Sequence, residues 1–593
     1  MKLISSLLVF YSLLFIPPSQ AQETALSNKV TIGKEKPDLQ WFRDAKFGLF
    51  IHWGLYSKLA GTYKDKNYYG SGEWIMYQAK IPAEEYAEVA AGFNPVDFNA
   101  DAWAQFAKDA GIRYMVITAK HHEGFSMYDS RVSDFNIVKA SPYKKDPMKA
   151  LSEATRKRGI KFGFYYSQFL DWHEKNGGGN TWDFDEQQKD YLRYYREKSV
   201  PQLKELLTNY GPLGIVWFDM PGGLTKTQTQ QMIDSLRLLQ PQALFSSRVG
   251  QGLGDYTDFG DSEVPASPIA DAWESIYTHN DSWGYIRHDM NFKSPKEIIQ
   301  LLANVASKGG NLMLNVGPDG QGNIPPYSLS YLTATGKWLS KFGESIYGTT
   351  AGLIPAQPWG VSTSKPGRLY LHVMQPPKNN LLLVPDVTAN VTAVTQLDNH
   401  QTITWVKKGT DLIITLPALS DDRNTVFAVN YQGSLPVPGL SKPLIVSNQY
   451  PPIQLEAVYA KLSGNTALDH LTFSHYFGDW KHATCITQMK GKTDAATFTT
   501  RVTEPGDYKV YLEYSCPEES SGQEAVFEFD DQQYLFKTLR TSALDESKPV
   551  LFIKHCVATI SITKAGLHTI AIHPANDGKE LFKLKTVVFE AVE

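Results

Sequence analysis

An acidic residue at the end of an apolar segment is the first feature of this sequence that could carry chemistry. In "GIVWFDMPGG", residues 214–223, Asp219 follows four apolar residues and precedes a methionine, a proline and two glycines. The apolar run predicts a buried β-strand, and the Pro-Gly-Gly sequence predicts a turn directly after the acid. A carboxylate at a strand tip can act as a nucleophile or a general base. A helix N-cap is less favoured, because Thr227 or Thr229 would better cap the next helical pattern.

Other polar or aromatic residues stand in the same way at the ends of apolar segments, namely His52, His121, His122, Tyr165, Tyr166 and Arg248. Adjacent residues of a strand point to opposite faces, so we expect one of the two tyrosines to be a core residue. The two adjacent histidines could bind a metal, but they would also point apart, and no further ligand cluster accompanies them. We therefore predict no metal at this pair and expect hydrogen bonds to a substrate.

Carboxylates, imidazoles, an arginine and tryptophans around one pocket suit a sugar, whose ring offers hydroxyl groups and apolar C–H patches. Hydrolysis of a glycosidic bond requires two carboxyl groups. Asp219 would be the first, and the second is expected in a later loop, residues 255–285. That segment offers six candidates, among which composition alone does not choose: Asp255, Asp258, Asp261, Glu263, Asp271 and Glu274.

Strand-like and helix-like segments alternate between about residues 40 and 345. Six strand candidates occupy residues 46–54, 113–121, 161–168, 214–220, 243–249 and 311–317. Between them lie amphipathic patterns such as "DAWAQFAKDAG" and "SPKEIIQLLANVASKGG", the latter with a capping box at Ser294 and Glu297. This alternation predicts a (β/α)8-type barrel over residues 30–348, with a doubly wound sheet as the alternative. In such barrels the active site lies at the C-terminal ends of the strands, where the polar side chains fall.

The sequence after residue 348 predicts only β structure. Short strands separated by turns predict one β-sandwich over residues 349–437 and another over residues 444–593, with a proline-rich linker between them. The three cysteines, Cys485, Cys516 and Cys556, lie in the last unit. Either two of them pair or all three are thiols.

The N-terminus predicts export. Lys2 is followed by a short apolar run and then "PPSQA", which together are typical of a signal peptide over residues 1–21. We expect a periplasmic or extracellular protein without a membrane span. Fifty-eight basic and 62 acidic residues give a net charge of −4, which argues against nucleic acid as the main partner.

Several of these segments together resemble the α-L-fucosidases of glycoside hydrolase family 29. The matching segments, which run in family order from about residue 41 to 349, are "WFRDAKFGLFIHWGLYS", "EWIMYQ", "YMVITAKHHEGFSMYDS", "GFYYS", "VWFDM", "WESIYTHNDSWGY" and "GGNLMLNVGPDGQGNIPP". The resemblance implies a retaining double displacement on terminal α-L-fucosyl residues of a glycan, without a cofactor. It also implies that the first sandwich is the family's usual one, whereas the last unit resembles a carbohydrate-binding module or a structural appendage.

The same resemblance assigns roles to individual residues. Asp219 matches the nucleophile, and Glu263, 44 residues later, matches the acid/base, with Glu274 as its rival. The residues implied to hold the fucose ring are His52, Glu73, Trp74, His121, His122, Tyr166, Trp217 and Arg248.

Two alternatives stay open at the level of sequence. One is a related glycosidase acting on another sugar, such as an α-L-galactoside, which needs room for a larger C5 substituent. The other is a non-catalytic sugar-binding protein. The sequence leaves the natural linkage and the oligomeric state undetermined.

Overall fold

The structure, a computed structural model, describes residues 37–436, 442–474, 480–541 and 550–592. The predicted signal peptide lies outside these residues, as do residues 437–441 of the predicted linker, which spans residues 433–443. Within the described part of the chain, no helix is both long enough and apolar enough to cross a membrane.

Eight parallel strands form the first sheet, and their order around it follows the chain. They are β1 Phe47–Ile51, β2 Tyr114–Lys120, β3 Lys161–Ser167, β4 Ile215–Asp219, β5 Leu244–Phe245, β6 Thr257–Asp258, β7 Trp273–Thr278 and β8 Asn311–Val316. Strand β8 pairs with β1, and a single parallel bridge between Ser246 and Tyr256 connects β5 to β6. The ring is thereby closed, which confirms the predicted (β/α)8-type barrel.

Helices surround most of this barrel. The longer ones are α1 Ala100–Asp109, α2 Pro147–Lys157, α3 Val200–Asn209, α4 Lys226–Arg237, α5 Pro295–Ser307 and α6 Pro326–Phe342, and the shorter ones are Gln40–Ala45, Tyr56–Leu59, Ile75–Gln78, Ala83–Glu88 and Tyr191–Tyr194. The predicted capping box of Ser294 and Glu297 begins α5. Helix α4 is capped by Thr225 rather than by Thr227 or Thr229, because its own capping box with Gln228 starts the helix earlier.

The region between β5 and β7 differs from the rest of the barrel. Residues 246–272 are all described and form no α-helix. The sequence predicted β5 but treated residues 255–285 as a loop, and the structure places β6 and β7 there. Strand β7 escaped prediction because Glu274 and Ser275 interrupt its apolar character, although both side chains are fully buried.

Alternate strand residues divide between two cores. Phe50, Tyr165, Trp217 and Met313 belong to the cluster inside the barrel, whereas Tyr166 belongs to the layer between sheet and helices. The two adjacent tyrosines therefore point to opposite faces of the sheet, as successive residues of a pleated strand do.

Two β units, antiparallel except for the parallel pairing of Leu444–Val446 with Ala495–Val502, follow the barrel. The first pairs a five-stranded sheet with a three-stranded one, and its strands are Thr350–Ala351, Gly360–Lys365, Arg368–Val373, Leu381–Val384, Asn390–Gln396, Trp405–Lys408, Asp411–Thr415 and Thr425–Gln432. These sheets enclose their own apolar core.

The last unit packs two six-stranded sheets face to face around a further core. Its strands are Leu444–Val446, Ile453–Glu456, Lys461–Ser463, Ala467–Ser474, Trp480–Thr487, Ala495–Val502, Gly506–Ser515, Glu524–Phe529, Gln532–Lys537, Ile553–Ile562, Gly566–Pro574 and Lys583–Ala591. All three cysteines are described and are free thiols; Cys485 and Cys516 are buried, and Cys556 is exposed.

Candidate active site

A cavity of about 290 Å³ opens at the C-terminal ends of the barrel strands. This volume is the share of about ten water molecules in the liquid, which leaves room for a monosaccharide ring. Its lining consists of Phe50, His52, Ser71, Glu73, Trp74, His121, His122, Tyr165, Trp217, Asp219, Met220, Arg248, Asp261, Ile276 and Trp283. Seven of the eight residues predicted to hold the sugar line this cavity together with Asp219.

Asp219 ends β4 and is held by three neighbouring side chains. Tyr165 donates its phenolic O–H to Oδ2 of Asp219 at 2.7 Å, and Nε2 of His122 lies 3.7 Å from the same oxygen. Nη1 of Arg248 donates to Oδ1 at 3.2 Å. Burial opposes ionisation, but the Arg248 charge, His122 and the tyrosine hydrogen bond together lower the pKa of Asp219 below its ordinary value. The carboxylate is therefore ionised at neutral pH.

The chain turns sharply after this carboxylate. Met220 has φ of +50°, a left-handed conformation that is unfavourable for a side chain with a Cβ. Because β4 stops at Asp219, the acid lies at the rim of the sheet and not within it. Backbone strain of this kind is found where the surrounding structure fixes a functional group.

Arg248 binds three carboxylates with one guanidinium. Besides Asp219, it donates through Nη2 to Asp261 at 2.5 Å and through Nε to Asp258 at a short distance. Burial would lower the pKa of Arg248, but the three acids raise it well above its ordinary value. The arginine therefore stays charged and fixes the positions of Asp219 and Asp261 relative to each other.

The three histidines of the cavity are neutral. Burial lowers the pKa of His52 to about 3 and that of His122 to about 4, and it lowers that of His121 well below its ordinary value. Nδ1 of His52 lies 2.7 Å from Oδ1 of Asn315, and Nδ1 of His122 lies 2.7 Å from Oγ of Ser167. These partners orient the rings, and a neutral imidazole can both donate and accept a hydrogen bond to a sugar hydroxyl.

Aromatic rings form a second part of the wall. Tyr165 and Trp217 stack with centroids 5.6 Å apart and planes 16° apart, and His121 stacks on the other face of the tyrosine at 5.2 Å. The ring centroid of Trp283 lies 5.3 Å from that of His52. Such faces pack against the apolar side of a pyranose ring, while the neighbouring polar groups bind its hydroxyls.

Glu73 lies at an enclosed part of the cavity. It is only 1% exposed, and its Oε2 accepts the backbone N–H of Gly284 at 2.7 Å. Burial raises the pKa of Glu73 to about 7. A carboxyl group in this state can donate or accept a hydrogen bond with a ligand hydroxyl.

Of the two adjacent tyrosines, Tyr165 lines the cavity and Tyr166 does not. The phenolic O–H of Tyr166 points out of the barrel and donates to Oε1 of Gln202 at 2.8 Å, whereas Tyr165 reaches Asp219. The register of β3 against β4 decides this, because Tyr165 pairs with Trp217, two residues before Asp219. The parity of Trp217 and Asp219 in the sequence, combined with this register, would have indicated that Tyr165 faces the cavity.

The structure places neither of the two residues predicted as acid/base, Glu263 and Glu274, on the lining of the cavity. The carboxylate of Glu263 faces the last β unit, where its Oε1 lies 3.2 Å from Nε2 of His470. Glu274 lies in the barrel interior, where Tyr114 donates to Oε2 at 2.6 Å and Trp217 donates to Oε1 at 3.1 Å. Burial raises the pKa of Glu274 to about 8, so this carboxyl is protonated and supports the tryptophan from behind.

Asp261 is the carboxylate from the segment 255–285 that does line the cavity. Its side chain is 25% exposed, whereas that of Asp219 is 11% exposed. It was one of six candidates in the sequence, and only the fold of the loop after β6 distinguishes it. The site therefore combines an ionised aspartate, a second carboxylate nearer solvent and neutral hydrogen-bonding groups. Glycoside hydrolysis uses two carboxyl groups of this kind.

Comparisons with known proteins agree with this chemistry. The α-L-fucosidase family model matches residues 14–344. Tissue α-L-fucosidase of Rattus norvegicus is 31% identical over 422 residues, which cover 65% of this chain and 87% of the relative. The corresponding protein of Mus musculus is 30% identical over 438 residues, which cover 68% and 92%.

Solved structures show the same likeness. An α-L-fucosidase from Vibrio sp. strain EJY3 has a TM-score of 0.75 and 29% identity, covering 93% of this chain and 97% of that one. A family 29 α-L-fucosidase from Bacteroides thetaiotaomicron, with a TM-score of 0.62 and 28% identity over 69% of this chain and all of that one, was captured as a trapped covalent intermediate with 2-fluoro-fucosyl fluoride.

Proposed function

The chain belongs to the α-L-fucosidases of glycoside hydrolase family 29, and we propose that it is an exo-acting, retaining enzyme that releases terminal α-L-fucosyl residues from glycans. The observation that carries this proposal is the ionised carboxylate of Asp219 at a cavity with room for a monosaccharide ring. The trapped covalent intermediate of the Bacteroides relative supports a covalent mechanism.

In the first step, a carboxylate oxygen of Asp219 attacks the anomeric carbon, and the bond from that carbon to the glycosidic oxygen breaks. The departing oxygen takes a proton from the acid/base, and the sugar remains as a fucosyl ester of Asp219. Tyr165 and Arg248 hold the attacking carboxylate in place. In the second step, the acid/base removes a proton from water, which displaces Asp219 and releases fucose with retained configuration.

We assign the acid/base role to Asp261. The leaving group of an exo-acting enzyme departs towards solvent, so its proton donor must lie at the mouth of the cavity. Asp261 has a 25% exposed side chain, whereas Glu73 is 1% exposed and better suited to bind a ring hydroxyl. Arg248 donates to both Asp219 and Asp261, so one guanidinium group holds the two carboxylates near each other.

The test is hydrolysis of p-nitrophenyl α-L-fucoside by the full mature chain and by Asp219→Ala, each with and without azide. We expect a loss of about 10⁴-fold or more in the variant and partial recovery with azide, giving β-fucosyl azide. The corresponding α-L-galactoside serves as the competing substrate. Absence of turnover on the aryl fucoside and on a panel of α1,2-, α1,3-, α1,4- and α1,6-fucosylated oligosaccharides would contradict the proposal.

We also propose that the protein is exported and acts on glycans outside the cytoplasm. The support is the sequence of residues 1–21. Cell fractionation followed by N-terminal sequencing tests it, with a mature N-terminus close to residue 22 as the expected result. A cytoplasmic protein that retains Met1 would contradict it.

A further inference from the structure

Glu263, displaced from the catalytic cavity, meets two histidines of the last β unit. His470 and His482 lie on neighbouring antiparallel strands of one sheet, Ala467–Ser474 and Trp480–Thr487. One carboxylate oxygen of Glu263 and one ring nitrogen of each histidine all lie within 4.8 Å of one another. We propose that these three residues form a zinc-binding site that joins the loop carrying Asp261 to the last β unit.

The distances between the three side chains fit this ion. Nε2 of His470 lies 3.2 Å from Nδ1 of His482 and 3.2 Å from Oε1 of Glu263. Zinc bonds of about 2.0–2.1 Å at tetrahedral angles place two ligand atoms about 3.3 Å apart. Nδ1 of His482 lies 3.9 Å from Oε2 of Glu263, so a small rotation of the carboxylate completes the triangle. Water or a substrate group would complete the coordination.

The ligand types also suit zinc rather than calcium or magnesium. Two imidazoles and one carboxylate are the donors of many zinc sites, whereas calcium and magnesium prefer oxygen alone. No thiol takes part in the cluster, although the same β unit contains three cysteines.

The surroundings orient the ligands. Nδ1 of His470, the nitrogen not facing Glu263, lies 3.4 Å from Oγ1 of Thr484. The backbone N–H of Gly260 donates to Oε2 of Glu263 at 3.0 Å. A Cβ at position 260 would lie 2.7 Å from Oε2 of Glu263 and 2.9 Å from Cε1 of His482, so a larger residue there would displace one of these side chains. Hydrogen bonds to the outer atoms of ligands are a regular feature of metal sites.

The site has a direct connection to catalysis. His482 packs against Gly260, the residue before Asp261, which we assign as acid/base, since a Cβ at position 260 would lie 2.9 Å from Cε1 of His482. Glu263 is two positions after Asp261 in the same loop. A bound zinc ion would therefore hold this helix-free loop against the last β unit, which gives that unit a role in positioning Asp261 even if it binds no carbohydrate.

The experiment titrates zinc into the full chain after removal of metals with a chelator, using calorimetry and metal analysis. We expect one zinc ion per chain in the wild type, and affinity at least 100-fold weaker in His470→Ala and His482→Ala. Glu263→Gln keeps the shape of the side chain and should weaken binding with little effect on folding. His573→Ala is the matched control, because His573 forms a similar pair with Glu528 at 3.3 Å in the same unit and should leave zinc binding unchanged.

Cobalt substitution gives a second readout that needs no histidine variant. The wild type loaded with Co²⁺ should show the visible absorption of a four-coordinate nitrogen and oxygen site, without the near-ultraviolet band of a cobalt–thiolate bond. Two results would overturn the proposal: no stoichiometric uptake of zinc by the wild type, or uptake that survives in both histidine variants. In either case the cluster would be only an ion pair between Glu263 and His470. The hydrogen bond with Glu263 already raises the pKa of His470 above its ordinary value.

Discussion

The two halves of the barrel hold their functional groups by different means. Strands β1 to β4 have five to seven residues each, and longer helices follow them in the chain. Their ends carry the histidines and Asp219. Strands β5 and β6 have two residues each, and no α-helix occurs between them and β7 in this fully described stretch. This half carries Arg248 and Asp261.

The site therefore has a part that the sheet fixes and a part that a loop can adjust. In the first half, the hydrogen bonds of the sheet place Asp219, the proposed nucleophile, and the side chains proposed to bind the sugar ring. In the second half, ion pairs with Arg248 and the contacts of Glu263 with His470 and His482 place the loop. Changes in the first half should therefore act on all substrates alike, whereas changes in the second half should depend on the leaving group.

The largest expected effect distinguishes Asp261 from Glu263. Asp261→Asn should lower kcat about 10³-fold on a fucosyl disaccharide, whose leaving group needs a proton, and much less on p-nitrophenyl fucoside. The loss of kcat on the disaccharide should be at least tenfold smaller in Glu263→Gln than in Asp261→Asn. Steady-state kinetics of both variants on both substrates provide the measurement. If Glu263→Gln shows the larger, leaving-group-dependent loss, Glu263 is the acid/base, and the loop must rearrange to bring it to the cavity.

An effect of intermediate size is expected for Tyr165 and Tyr166, which lie on opposite faces of β3. Tyr165→Phe removes the hydrogen bond to Asp219, which should lower kcat/KM by about tenfold. Because this bond lowers the pKa of Asp219, the acidic limb of the pH profile should move to higher pH. Tyr166→Phe is the matched control and should leave that limb in place while costing about 1 kcal/mol of stability through loss of the Gln202 bond. A shift of the limb in Tyr166→Phe alone would restore the original assignment.

The last effect is on stability rather than on turnover and concerns the buried carboxyl of Glu274. With a folded-state pKa of about 8, it stays protonated while the unfolded chain ionises above its ordinary pKa of 4.5. Its contribution to stability is therefore complete below pH 4.5 and falls as the pH rises towards 8, by about 1.4 kcal/mol per unit.

Glu274→Gln carries no ionisable group, so it should lack this contribution. Denaturant unfolding of wild type and variant at pH 5 and pH 7.5 should show the variant gaining relative stability at the higher pH. A stability difference that is independent of pH would mean that Glu274 is already ionised in the folded protein.

The sequence by itself determined the barrel, the two β units and the strand-tip chemistry, because these depend on local patterns. The alternation of apolar strands and amphipathic helices defined the fold, and the run ending in Asp219 defined a carboxylate at a strand end. Sequence segments also led to the histidines, Glu73, Trp74, Trp217 and Arg248, all of which line one cavity.

Only the tertiary structure decided the residues whose position depends on distant contacts. The choice between Tyr165 and Tyr166 depends on the register of β3 against β4 and on which face of the sheet turns inward. The choice among Asp261, Glu263 and Glu274 depends on a helix-free segment without periodic pattern, placed by Arg248 and by histidines about 200 positions later in the chain. Such contacts leave no local periodicity, because the partners meet only after the whole chain has folded.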